Sequence, residues 1–150
     1  MNLSTELFTG LLVEGLVSSS LLLVVAFALR RYTKVILALV LIVAALAYIL
    51  FAYRTDQEPF WLLIELLGVG IYGTMGLLGI RRSPWWLVAG WALHPVWDIA
   101  LHFFGPGHTF APITYTIPCL SYDLWVAAVI ALGIVFKWRA VTAQPAVATT

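Results

Sequence analysis

Five stretches of this chain, at 8–29, 35–53, 60–80, 85–104 and 121–137, are almost free of charge. Each is long enough, or nearly so, to cross a hydrocarbon core, which takes about 20 helical residues. The remainder cannot supply a polar coat. Of 150 residues 63% are hydrophobic and only 10% are charged, where a soluble domain carries about 25%, and the mean hydropathy is +1.01. A cytosolic globular enzyme, a nucleic-acid binder and a disordered tail are therefore excluded. The net charge of +1 leaves no basic surplus, and one cysteine cannot close an intrachain disulfide. The expected fold is an all-α membrane protein, a bundle of about five transmembrane helices forming one domain over 1–140. A flexible Ala/Thr/Val-rich tail is expected over 141–150.

The first run lacks a basic segment before it and is too long for a signal sequence, so it reads as a retained helix. Seven of the eight Lys and Arg residues follow the first, third and fifth runs, and only Arg54 lies at the opposite ends, beside Asp56 and Glu58. The positive-inside rule then places the N-terminus outside and the C-terminus in the cytoplasm of a cell (inner) membrane, in a multi-pass arrangement. Trp61 and Trp125 are expected at the outer interface, and Trp85, Trp86 and Trp138 at the inner one. Gly70, Gly73, Gly76 and Gly79 recur every third residue in the third run and predict a seam where another helix comes close.

Four of the seven acidic residues fall within or beside apolar runs: Glu14, Glu65, Asp98 and Asp123. An ionised carboxylate in hydrocarbon costs at least ~2.5 kcal/mol. At about 1.5 Å per residue, all four lie in the outer half of the membrane under this topology. Asp123 is expected at the outer start of the fifth helix, where an acid also complements the helix dipole. Glu14 has Ser18 one turn away as a hydrogen-bond partner, whereas Glu65 has no such neighbour.

The fourth run adds His94 and His102 around Asp98. Steps of four residues advance 40° each, so the three side chains share a stripe about 80° wide. Two imidazoles and a carboxylate on one face suit Zn, Fe or Mn. Pro95 inside this helix frees the carbonyl of Trp91, which a membrane helix tolerates where protein or a cavity re-satisfies the backbone. All Lys and Arg residues lie at or beyond the ends of the runs. Neutralisation is left to retained protons, imidazolium or a metal cation. His94, Asp98 and His102 are the expected metal ligands, with Glu65 and Asp123 as catalytic carboxylates. Glu14, Cys119 and His108 are further candidates, although His108 also reads as a solvated loop residue and Cys119 as a small buried hydrophobe. The uncharged stretch 105–120 reads as a lid dipping toward the bilayer.

Gly90, Trp91, His94, Trp97, Asp98 and His102, followed by Phe110, Pro112, Cys119 and Asp123, resemble a family of small bacterial integral membrane proteins known as domain-of-unknown-function family 6010. The resemblance covers about residues 65–130. It implies a multi-pass membrane protein, assigns no activity, and implies that Glu65, His94, Asp98, His102, Cys119 and Asp123 belong together.

The leading expectation is a metal-dependent enzyme with an outer-leaflet site, acting on a lipid-soluble or periplasmic small molecule. Proton or cation transport, or sensing, is the first alternative. Against it, the cytoplasmic half has no polar pathway and the chain no internal repeat. A structural or assembly subunit is the second. The lipid bilayer is the expected partner, together with a second copy of the chain and no nucleic acid.

Overall fold

The structure, a computed structural model, describes residues 4–55 and 57–142. Among these residues it is helical throughout, with no strand. Helix α1 spans Thr5–Ala28, α2 Thr33–Arg54, α3 Pro59–Arg81, α4 Trp85–Trp97, α5 Ile113–Val135 and α6 Arg139–Thr142. Four of the helical segments, Thr5–Ala28, Arg30–Arg54, Pro59–Arg81 and Ile113–Val135, are long and apolar enough to cross a membrane. Helix α4 continues without a break into a π-helical segment, Asp98–Phe103. The chain is a helical membrane protein.

The helix ends follow local chemistry. Ser4 caps α1 by accepting from the Leu7 N–H, and Glu6 in the first turn complements the dipole. Pro59 opens α3, where its missing N–H removes no helical bond. The tight turn from α1 to α2 is pinned by Thr33, whose hydroxyl donates to the Ala26 carbonyl at 2.8 Å.

The helices pack as α2 on α3, α3 on α4, α4 on α5, and α5 on α1, with α1 touching α2 only lightly. Lipid is as apolar as these side chains, so the bundle is held by close packing rather than by expulsion of water. Trp91, Leu41, Leu87, Val126 and Ile130 fill the half of the bundle toward the Lys- and Arg-rich turns. At the other end Tyr48, Ala52, Phe110 and Ala111 form a second cluster, backed by Trp61 and Tyr115. The polar residues described below lie between these two apolar plugs.

Several expectations need correction. The fifth helix begins at Ile113 rather than 121, because a membrane helix absorbs Pro118. The expected 105–120 lid shrinks to 104–112, and its Phe110 and Ala111 are buried as a plug. Asp123 is therefore buried well inside α5 instead of in its first turn, and Trp125 lies near mid-helix instead of at an interface. The glycine row is not one seam. Gly70 and Gly73 face open space, while Gly76 meets Ala38, Gly79 meets Leu87 and Gly68, outside the row, meets Trp97. The buried stripe of α3 is Glu65, Gly68, Tyr72, Gly76 and Gly79, at helical spacings of three and four. Val141, expected in the tail, is buried in the main core. Thr142 ends α6, while residues 143–150 of the expected tail, and Asp56, lie outside the described residues.

Candidate metal centre

Helix α4 turns His94 fully inward, and its π-wound extension does the same for Asp98 and His102. In α-winding a four-residue step overshoots a full turn by about 40°. A helix bonded i to i+5, as where the Phe104 N–H donates to the Ile99 carbonyl at 3.0 Å, needs more residues per turn. The same step from Asp98 to His102 then falls short of a turn. The two rotations oppose each other, which keeps the three side chains close to one line down the helix.

Two groupings form along that line. In the first, Asp123 of α5 reaches the Nδ1 of His94 at 2.8 Å in a buried hydrogen bond. Asp98 Oδ2 stands 3.5 Å from the same nitrogen. One donor atom from each of His94, Asp98 and Asp123 lies within 4.8 Å of the others. In the second, Glu65 of α3 places Oε1 3.5 Å from His102 Nε2. Asp123, and not His102, thus completes the trio around His94 and Asp98, while His102 turns toward Glu65. A narrow gap with no room for water lies between Glu65, Tyr48, Tyr72 and His94.

Aromatic rings fix both imidazoles. Tyr48 of α2 stacks on His102 with centroids 3.9 Å apart and planes 13° from parallel. Tyr72 of α3 meets His94 edge-on at 4.8 Å and is anchored by donating its hydroxyl to the Leu93 carbonyl. Neither tyrosine was among the expected site residues. A signal existed for Tyr48, a polar group in an otherwise featureless apolar run at the depth of the carboxylates. Cys119, one turn before Asp123, is buried close to Asp98. Glu14 is exposed on α1 and does not join the trio, and His108 is exposed, with Nδ1 donating to the Gly105 carbonyl.

The site is electrostatically incomplete by its own side chains. His94 Nε2, both oxygens of Asp98, Asp123 Oδ1, Glu65 Oε1 and both nitrogens of His102 are buried without a hydrogen-bond partner. Buried polar atoms are normally paired, because an unpaired one costs about 1–3 kcal/mol and more if charged. Among the described residues the only ion-pair partners of the three buried acids are the two histidines. One imidazole nitrogen and two carboxylates form a donor set suited to Zn, Fe or Mn. Ligands at about 2.0–2.2 Å from one ion sit roughly 3–4 Å apart. Small side-chain movements suffice to gather these three around a cation, so the residues fit a divalent metal.

The model of a family of unknown function, DUF6010, matches residues 10–135, and the chain belongs to that family. No curated protein matches it, and no solved structure matches it.

Proposed function

We propose that this member of DUF6010 is a five-span, membrane-embedded, metal-dependent enzyme acting on a lipid-soluble small molecule. Its fourth span is α4 with its π extension. Its N-terminus is outside, since seven of the eight Lys and Arg residues gather at the ends where α1, α3 and α5 finish. His94, Asp98 and Asp123 hold a divalent ion. The observation that carries this reading is the trio itself: three buried donors within 4.8 Å of each other, with no Lys or Arg to balance them.

A divalent ion held there would supply Lewis acidity to the site. The chain's own residues do the rest. Glu65 and His102, 3.5 Å apart, form a buried acid–base pair beside the trio that can hold a proton and pass it between them. Tyr48 holds the His102 ring in plane and Tyr72 sets the rotation of His94. Trp61 and Phe110 close the outer end of the bundle against water.

A specific contact favours a second reading, that of a proton relay without metal. The 2.8 Å bond between His94 and Asp123 is a carboxylate–imidazole pair of the kind that carries protons. Elemental analysis by mass spectrometry separates the two. Protein purified in nonionic detergent without chelator is expected to hold near-stoichiometric Zn, Fe or Mn. His94→Ala and Asp123→Asn are expected to lose at least tenfold of it while remaining folded. A folded wild type without metal overturns the enzyme reading in favour of the relay.

A further inference from the structure

A cavity of about 290 Å³ opens between α1, α2 and α5. Its buried end is Asp123 with Cys119, its rim carries the exposed Glu14, and Val40 and Val43 of α2 form an apolar wall. Because α1 leans on α5 and barely touches α2, the opening faces laterally, toward the hydrocarbon, rather than along the bundle axis.

The polar chemistry of this cavity is one-sided. Its Tyr115 hydroxyl is already committed, donating to the Ala44 carbonyl at 3.1 Å. The Ser18 hydroxyl likewise donates to the Glu14 carbonyl at 2.7 Å. Pro118 has no N–H, so the Thr114 carbonyl loses its intrahelical donor. Asp123 spends Oδ2 on His94 and keeps Oδ1 without a partner, on a side chain 1% exposed. The Tyr122 and Thr114 hydroxyls and the Cys119 thiol remain as weak or ambivalent donors. Against them stand two carboxylates and no cationic lining residue. The vacant complement is a cation that donates hydrogen bonds and carries an apolar chain.

We propose that this cavity binds a lipid-soluble primary amine, its ammonium turned to Asp123 and Glu14 and its chain leaving along Val40 and Val43 into the bilayer. At the roughly 30 Å³ that a small group occupies in a liquid, the cavity holds about ten non-hydrogen atoms. That is a head group and the first part of a chain. The inference rests on the enzyme reading above in one respect, that Asp123 joins the cavity to the metal trio and makes the amine the substrate.

The test uses full-length protein in phosphatidylcholine nanodiscs, with native mass spectrometry reading binding of dodecylamine against dodecanol. Saturable one-to-one binding of the amine, at least tenfold tighter than the alcohol, is expected. Glu14→Gln, on an exposed position that leaves the fold intact, is expected to remove at least tenfold of that affinity and most of the preference. Val43→Trp, which obstructs the cavity from a lipid-facing position, is expected to abolish binding at unchanged melting temperature. An alcohol bound as tightly as the amine overturns the proposal, and so does wild-type binding in both variants. Metal content measured on the same samples separates the two readings. Amine binding without metal overturns the enzyme and sustains the amine site, whereas metal without amine binding overturns the amine site alone.

Discussion

Replacing Gly15 by alanine adds one methyl group where α1 crosses α5, and the geometry there is unforgiving. The new Cβ would collide with the Pro118 carbonyl and the Ser121 hydroxyl, which are held by the backbone and first side-chain atoms of α5. To clear them the helices must separate, which strains the bond the Ser121 hydroxyl donates to the Leu12 carbonyl at 2.7 Å. Overpacking costs about 1–3 kcal/mol, and a hydrogen bond between membrane helices is worth about 0.6 kcal/mol. Alanine returns about 0.5–1 kcal/mol of helix propensity over glycine. The net effect is a loss of about 1–3 kcal/mol. Gly10→Ala is the internal control, since a Cβ there meets nothing within 4 Å and should gain the same 0.5–1 kcal/mol of propensity. The single cysteine, Cys119, is buried, so a thiol-reactive dye followed through a thermal ramp reports unfolding directly. For a chain of this length 1 kcal/mol moves the midpoint by about 2–4 °C, and the two variants should shift in opposite directions. A Gly15→Ala midpoint at or above the wild type would refute the close crossing of α1 and α5.

Two more perturbations probe the site. Gly107→Ala puts a methyl group against His102 Nδ1, and should destabilise the protein by about 1–3 kcal/mol in the same melt; an unchanged midpoint would mean that the 104–112 loop does not rest on His102. Tyr48→Phe keeps the ring stacked on His102 and removes a buried hydroxyl without a hydrogen-bond partner, so stability should hold or rise by up to ~1 kcal/mol. Tyr48→Ala should cost about 3–5 kcal/mol, and equal losses in the two variants would show that the hydroxyl, not the ring, carries the contact.

The membrane class and the helices up to Arg81 are legible in the sequence because hydropathy alone sets them. So are the buried acids, since a carboxylate inside an apolar run is conspicuous wherever its helix lies. The sequence is misleading where backbone geometry departs from the rule applied to it. Pro118, with Pro112 before it, marks a loop in a soluble protein, and that reading hides two turns of α5 and moves Asp123 to a helix end it does not occupy. The π-winding after Asp98 has no signature in residue type. Spacing therefore groups His102 with His94 and Asp98, when the fold pairs it with Glu65. Helix order is invisible to periodicity as well, which is why Glu14, expected at the depth of the other three carboxylates, does not share their enclosure.

The close crossing of α1 and α5 also bears on how the chain is assembled. Ser121 and Leu12 are 109 positions apart, so α1 finds its main neighbour only after α2, α3 and α4 have been made. Until then α1 has little to hold it, because its contact with α2 is slight. The same late arrival delivers Asp123 to His94. One late event thus both locks the bundle and brings the final carboxylate to the buried trio, and a chain truncated before α5 would have neither.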